Sequence, residues 1–227
     1  MSEIAPVLWL TFKLAGITTL ILLVAATPLA WWLARTRSVA GELVGALVAL
    51  PIVLPPTVLG FYLLIALSPS SPLMAPLQAL GIRTLAFTFT GLVIGSLIYS
   101  LPFAVQPLRN AFRAIGEEHF DAAATLGASR FVTFTRIALP LAVPGYVAAA
   151  ILTFAHTIGE FGVVLMIGGA IPGVTNVLSV EIFRDVEALA WGRAHALSAL
   201  LLVFGFGVVL SMLALERRLP GGAHRED

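Results

Sequence analysis

Five stretches of this 227-residue chain run for more than 20 positions without an Asp, Glu, Lys or Arg residue. About 20 apolar helical residues cross the hydrocarbon layer of a membrane, which is roughly 30 Å thick. We therefore expect an all-α membrane protein with about five transmembrane helices, forming a single transmembrane domain over residues 1–227. The expected spans are residues 14–34, 43–67, 84–108, 141–167 and 194–215.

The composition excludes an ordinary soluble fold. Hydrophobic residues make up 59% of the chain and charged residues 11%, whereas soluble domains carry roughly 25% charged residues. A chain of this length leaves too much surface exposed to hide so many apolar side chains from water. The net charge of +1 gives no electrostatic basis for binding nucleic acid, and the lack of cysteine excludes disulfides and thiolate metal sites.

The positions of the arginines predict the orientation in the membrane, because cytoplasmic loops are rich in Lys and Arg. Nine arginines lie in the first loop, the third loop and the tail, against three in the other loops. This predicts an N-terminus outside the cytoplasm, where the acidic Glu3 lies, and a cytoplasmic C-terminus. The nine are Arg35, Arg37, Arg109, Arg113, Arg130, Arg136, Arg217, Arg218 and Arg225.

The second expected span contains Pro51, Pro55 and Pro56. Each proline removes a backbone donor and bends a helix, which lipid tolerates only where protein or a water-filled cavity satisfies the freed carbonyl group. One interpretation is ordinary kinking of a transmembrane helix. The other is a helix break beside a transport pathway, which makes the three prolines candidate pathway or gate residues.

Thr153, His156, Thr157 and Glu160 form a polar stripe on the fourth span, at positions i, i+3, i+4 and i+7. An ionised acid at the centre of a bilayer costs about 2.5–3.5 kcal/mol, so Glu160 should face the helix bundle, a partner or water. Three roles remain open for Glu160. It could lock helix packing, either neutral or paired with His156. It could line or gate a pathway, or it could carry protons in a proton-coupled secondary transporter.

Metal-dependent chemistry is not expected. The four histidines lie in different segments of the chain, and no H-E-x-x-H sequence occurs. A membrane-embedded hydrolase would need clustered acids or histidines at metal-binding spacing. We therefore assign no metal site to His119, His156, His195 and His224.

The expected cytoplasmic loop, residues 109–140, contains a short helix between Glu117 and Gly127. Acidic residues favour its N-terminal turn, alanines favour its middle, and Gly127 can end it in the left-handed conformation. A helix this short is marginal in water and needs to dock. Its expected apolar face suits a groove on another protein, and consists of Phe120, Ala123, Ala124 and Leu126.

The same loop carries the pattern Asp121-Ala122-Ala123-x3-Gly127-x9-Ile137-x-Leu139-Pro140. It resembles the E-A-A-x3-G-x9-I-x-L-P motif of the membrane subunits of ATP-binding-cassette (ABC) importers, with Asp in place of the first Glu. The resemblance implies a coupling helix that fits a cleft on an ATPase subunit. It assigns this coupling role to Glu117, Glu118, Asp121, Ala122, Ala123, Gly127, Ile137, Leu139 and Pro140.

Three further segments resemble molybdate importer permeases: Leu50–Gly60, Ala155–Gly162 and Gly168–Gly173. Sulfate, thiosulfate and tungstate permeases are related, and the Leu-Pro-Pro run favours molybdate. The resemblance implies a homodimer in the bacterial inner membrane that works with two ATPase subunits, which hold ATP and Mg²⁺, and an external oxyanion-binding protein.

The energetics of oxyanion uptake agree with an external energy source. Moving a dianion inward against a negative interior costs about 4.6 kcal/mol per 100 mV, from about 2.3 per charge. The chain has no P-loop sequence, and its only lysine is Lys13, so ATP hydrolysis must come from a separate subunit and no cofactor is expected on this chain. No expected span contains an arginine, which predicts a pathway without a fixed cation and selectivity in the binding protein.

Overall fold

The structure, a computed structural model, describes residues 4–218, which contain helices and no strands. Short turns join most of the helices. A 3₁₀ turn at Pro72–Met74 precedes α4, and a π-helical turn at Phe134–Ala138 follows α7. The helices are α1 (Ile4–Arg35), α2 (Val39–Val53), α3 (Pro56–Leu67), α4 (Ala75–Ala79), α5 (Phe89–Arg113), α6 (Glu117–Thr125), α7 (Arg130–Thr133), α8 (Leu139–Leu141), α9 (Val143–Gly159), α10 (Gly162–Gly168), α11 (Leu178–Glu187) and α12 (Trp191–Arg218).

Helices α1, α5 and α9 pack against one another and form the main core. Small residues at the contacts let the helices approach closely, as is usual between helices in lipid. Ala26 of α1, Ala104 of α5 and Ala149 of α9 are fully buried in one cluster, together with Leu22 and Leu108. This three-helix core fixes the position of α5, which carries much of the candidate site.

Within residues 4–218, three helices are long and apolar enough to cross a membrane: α1, α5 and α12. Two bent pairs qualify if each counts as one span. Helices α2 and α3 meet at 110°, and the segment Arg130–Leu141 meets α9 at 65°. The described residues therefore form between three and five candidate spans. The expected all-α membrane architecture is confirmed.

The second expected span, residues 43–67, is broken at the prolines, so the helix break and not the ordinary kink is the alternative that the structure shows. Helix α2 continues through Pro51 and ends at Val53, and α3 begins at Pro56. Leu54 and Pro55 are extended, with ψ angles of 136° and 133°. Each of these two residues precedes a proline, whose ring disfavours the helical conformation of the residue before it.

The fourth expected span, residues 141–167, is not one helix, and this prediction was wrong. Helix α9 ends at Gly159, Glu160 is extended with a ψ of 126°, and α10 begins at Gly162. The backbone carbonyl of Glu160 accepts a hydrogen bond of 2.5 Å from the Ser179 hydroxyl. The break is stable in a buried position because a side chain satisfies this carbonyl group.

Several expected boundaries differ from the observed ones. Helix α1 begins at Ile4, so Lys13 lies within it, and α5 runs from Phe89 to Arg113, so Arg109 belongs to a helix and not to the loop 109–140. The sequence prediction placed the end of each span at the first charged residue. In the structure, the hydrogen bonds of the helical backbone continue past that residue. Glu3, Arg225 and the side chains of Arg217 and Arg218, which entered the orientation argument, lie outside the described part of the chain.

Candidate functional site

The short helix expected in the third loop is present as α6, and its end has the predicted geometry. Gly127 has a φ of +73°, which glycine adopts without strain. Ala128 N donates to Ala123 O at 2.9 Å, and Gly127 N donates to Ala124 O at 3.0 Å. These two bonds form a Schellman motif, so the glycine of the E-A-A pattern is the residue that ends the helix.

Helix α6 docks on the end of α1 in the same chain. Ala123 is buried, and the Phe120 ring packs edge-on against Trp31, with 5.9 Å between the ring centroids. The guanidinium of Arg35 lies 4.0 Å from the centre of the Phe120 ring, and its Nη2 lies 3.4 Å from Glu117 Oε2. These contacts supply the support that a helix this short needs.

The prediction of a single apolar face on α6 was wrong. Phe120 and Ala123 face this chain, Ala124 is exposed, and the Leu126 residue is 87% exposed. Leu126 is the capping residue, with a ψ of 3°, so it no longer follows the helical period. Phe131, on α7, is also 75% exposed, so both side chains present apolar surface to the surroundings.

The outward side of α6 carries polar side chains in the first turn of the helix and small side chains in its middle. The exposed motif residues there are Glu118, Asp121 and Ala122, whereas Glu117, also exposed, contacts Arg35 of α1. An acidic first turn is favourable at the positive end of the helix dipole. This side can accept a partner because no described part of the chain covers it.

The second half of the E-A-A pattern lies on the helical segment that leads to α9. Its π-helical turn, Phe134–Ala138, is an irregularity often found at functional sites. Phe134, the first residue of this turn, packs against Trp31 with 5.2 Å between the ring centroids. Trp31 therefore contacts both the α6 part and the π-helical part of the E-A-A loop. Two motif residues here are partly buried and the third is exposed: Ile137, Leu139 and Pro140.

The polar stripe of α9 packs against α5. Ser100 Oγ lies 2.9 Å from His156 Nδ1 and 3.1 Å from Thr157 Oγ1, and Thr157 donates to the Thr153 carbonyl at 2.9 Å. The imidazole ring stacks on Phe103, with 3.9 Å between centroids. Thr153 and Thr157 are buried, so this part of the stripe joins two helices.

Glu160 does not pair with His156. Its Oε2 accepts a hydrogen bond of 2.7 Å from Ser96 on α5, and the residue is only 3% exposed. Helix α9 ends one residue earlier, so Glu160 leaves the i+4 position at which pairing was expected. Its other oxygen, Oε1, is buried without a partner among the described residues.

The two helix breaks lie side by side. A Cβ atom added at Gly162 would lie 2.7 Å from Pro56 Cβ, so only glycine allows this approach. The structure thus brings Pro56 next to the Glu160 break. Pro51 is buried within α2 and Pro55 is exposed at the turn.

Sequence reasoning missed the serines that complete this polar cluster. Ser96 and Ser100 are one helical turn apart on α5, and this i, i+4 spacing of hydroxyls in an apolar span was a usable signal. Ser179 gave no such signal, because it bonds to Glu160 from 19 residues away. Over the described residues, no group of three His, Asp or Glu side chains is placed to hold a metal ion.

Comparison with known families identifies the class of transport system. A sequence profile of the family described as "Binding-protein-dependent transport system inner membrane component" matches residues 26–220. The chain belongs to this family. The long apolar helices agree with a place in the inner membrane, and the resemblance to importer permeases is confirmed at the level of the family.

Two curated relatives cover most of the chain. The molybdenum transport system permease protein ModB of Azotobacter vinelandii is 55% identical over 213 residues, which is 94% of each chain. The sulfate transport system permease protein CysT of Escherichia coli is 32% identical over 190 residues, or 84% of this chain and 68% of that one. The chain is thus considerably more similar to the first than to the second.

A solved structure supports the fold. It is a bacterial alginate ABC transporter in complex with an alginate pentasaccharide-bound periplasmic protein, and one of its chains matches with a TM-score of 0.76. The match covers 96% of this chain and 80% of that chain at 19% identity. The chain therefore shares its fold with a chain of that transporter.

Proposed function

We propose that this chain is the membrane-spanning permease of an ABC importer that carries molybdate into the cytoplasm. The observation that carries the proposal is the 55% identity with the Azotobacter vinelandii molybdenum permease over 94% of both chains. The chain itself is a transport component without an ATPase site. A separate ATPase, with its ATP and Mg²⁺, drives the movement of the dianion against the membrane potential.

In the proposed assembly, two copies of this chain form a homodimer with two ATPase subunits and one external oxyanion-binding protein. Each copy crosses the membrane five times, with the bent pairs counted as spans, and has its N-terminus outside and its C-terminus in the cytoplasm. The arginine distribution supports this orientation. The exposed apolar side chains along α12, such as Leu202 and Phe206, suit contact with lipid.

Helix α6 is the proposed contact with the ATPase. Its outward side is exposed, whereas its inner side is held on α1 by Phe120 and Ala123. Movement of the ATPase would therefore be transmitted through Trp31 to the helix bundle. The exposed Leu126 and Phe131 give the apolar area that a helix needs to bind in a groove.

The proposed pathway passes the joint between the two helix breaks. Pro56 contacts Gly162 there, and Glu160 is held between Ser96 and Ser179. Broken helices at membrane depth occur where protein or a cavity satisfies the backbone. In this arrangement Glu160 holds the joint together, and the prolines give α2 and α3 their bend.

The test is uptake by a complete reconstituted system. Proteoliposomes containing this chain, its ATPase and the binding protein should accumulate radiolabelled molybdate when ATP is supplied inside. Omitting either partner should abolish uptake. Accumulation by vesicles that contain this chain alone, driven by a proton gradient, would contradict the proposal and favour the proton-coupled alternative.

Sulfate is the second candidate cargo, favoured by the 32% identity with the Escherichia coli sulfate permease. Thiosulfate and tungstate belong to the same group of tetrahedral anions. Titration of the cognate binding protein with molybdate, tungstate, sulfate and thiosulfate separates these candidates. Binding of molybdate at least tenfold tighter than sulfate, which is about 1.4 kcal/mol, supports the primary proposal.

A further inference from the structure

A polar cavity of about 190 Å³ lies between α1, α2 and α5, near the end of α5 that leads into α6. The cavity is lined by three polar residues on one face of α5, at positions i, i+3 and i+4: Gln106, Arg109 and Asn110. Gly45 and Ala49 of α2 form the opposite wall. A Cβ atom added at Gly45 would lie 3.6 Å from Arg109 Nη1, so the small residue leaves room beside the guanidinium.

The guanidinium of Arg109 lacks a compensating group. Its Nε atom is buried and has no hydrogen-bond partner, and no ion pair among the described residues includes Arg109. The Arg109 side chain as a whole is only partly buried, so the cost lies in this one donor: a desolvated N–H group without an acceptor is unfavourable. This cost falls when an anion in the cavity accepts a hydrogen bond from Nε.

We propose that Arg109, with Gln106 and Asn110, forms a binding site for the transported tetrahedral oxyanion near the end of α5 that leads into α6. The inference rests on the proposed importer function and names a place in the pathway where the anion is held. It replaces the expectation, from the sequence, of a pathway without a fixed cation. The charge of Arg109 ends the uncharged stretch in the sequence, but in the structure Arg109 lies within α5.

The chemistry of the three side chains suits such an anion. A guanidinium presents two parallel N–H groups, which match two oxygens of a tetrahedral anion. The Nε–H that lacks a partner is one of these donors. The exposed amide groups of Gln106 and Asn110 can donate to the remaining oxygens, and burial of the Arg109 Nε atom strengthens the bond that this donor makes.

The site binds the anion without trapping it. It offers one cation to a dianion, and its two amides are exposed to solvent, so net attraction is moderate. Conduction requires sites that are favourable enough to enter and weak enough to leave. A single guanidinium meets both conditions better than a closed cage of arginines.

Direct binding tests the proposal. The purified complex of permease and ATPase, without binding protein, is placed in nanodiscs of phosphatidylcholine, and equilibrium binding of radiolabelled molybdate is measured. Arg109→Gln should weaken binding at least tenfold. Arg113→Gln removes an equal charge one turn further along α5, outside the cavity, and should change binding less than twofold.

A second pair of variants keeps Arg109 and changes the volume of the cavity beside it. Gly45→Leu fills the cavity and should abolish binding, whereas Gly45→Ala adds only a methyl group at ordinary contact distance from Arg109 and should change binding less than threefold. Both variants should still assemble with the ATPase, which co-purification checks. Equal binding by the Leu variant and the wild type would exclude this cavity.

The remaining outcomes distinguish an error in the proposed binding site from an error in the proposed transport function. If the wild type takes up molybdate with its binding protein while Arg109→Gln binds and transports normally, the site is wrong and the importer function stands. If the wild type fails to transport molybdate, the cargo is wrong. Equal losses in Arg109→Gln and Arg113→Gln would indicate general surface charge. Loss of a co-purified anionic lipid from Arg109→Gln, with normal molybdate uptake, would reassign the cavity to a lipid phosphate.

Discussion

The Ser96 hydroxyl donates a hydrogen bond of 2.7 Å to Glu160 Oε2, and both residues are buried. This bond connects the middle of α5 to the break between α9 and α10. The backbone of the same residue is held by Ser179, so one acidic residue is bonded through its side chain and its main chain to two different segments. Glu160 thus fixes the joint at which three segments meet.

This arrangement predicts that the shape of Glu160 matters more than its proton. Glu160→Gln keeps an oxygen that accepts from Ser96, so ATP-driven molybdate uptake should remain within about twofold of the wild type. Glu160→Ala leaves the Ser96 hydroxyl unsatisfied and should cost about 1–3 kcal/mol of stability. Uptake assays and melting curves of the purified complex measure the two effects.

A proton-carrying Glu160 would give a different pattern. Uptake would then collapse in Glu160→Gln and lose its dependence on pH. Uptake driven by a proton gradient without ATP, and abolished by this substitution, would overturn both the structural role of Glu160 and the importer function.

Gly162 and Gly159 form a matched pair that tests the contact with Pro56. A Cβ atom at Gly162 would overlap the Pro56 ring, whereas one at Gly159 meets nothing within 4 Å. We expect Gly162→Ala to destabilise the protein by about 1–3 kcal/mol, as overpacking usually does. Gly159→Ala should be neutral. Thermal unfolding of both variants measures the difference, and equal melting temperatures would refute the close approach of α3 and α10.

Gly127 tests the coupling role of α6. Its φ of +73° costs a side-chain-bearing residue about 1–2 kcal/mol, so Gly127→Val should distort the end of the helix. We expect at least a fivefold loss of uptake, or loss of the ATPase on co-purification. Asn tolerates this conformation, and Gly127→Asn should remain near normal. Normal uptake and assembly in Gly127→Val would refute the docking assignment.

The orientation is testable because the chain contains no cysteine. A cysteine at Ser70 should react with an impermeant thiol reagent from the periplasm, and one at Ser38 only after the membrane is opened. Ser38 caps α2 through Gly41 N at 3.2 Å, so Val39→Cys, also exposed, is a second position that spares the cap. The reverse labelling pattern would contradict the proposed topology.

Local signals in the sequence predicted the local structure well. Helix α6 and the left-handed Gly127 follow from residues within one short segment, as does the break before Pro56. In each case the deciding interaction is between neighbours in the chain. Such interactions are visible to propensity and spacing rules.

Interactions between distant segments could not be predicted in the same way. The break at Glu160 depends on Ser179, and the inward side of α6 depends on Trp31, which is 89 positions from Phe120. Hydropathy likewise ended the third span at residue 108, although α5 continues to Arg113. Packing between distant segments decides which residues become partners. It also decides how far a helix continues past its first charged residue.

Helix α1 touches both ends of the molecule. Trp31, near one end, packs against Phe120 of α6, and Thr11, near the other, accepts a hydrogen bond of 2.8 Å from the backbone N–H of Leu178 at the start of α11. The two residues are 20 positions apart, which corresponds to about 30 Å at 1.5 Å per residue. One continuous helix therefore joins the two surfaces, so a displacement at Trp31 is passed toward Thr11 and the first turn of α11, less the bending that Pro28 allows.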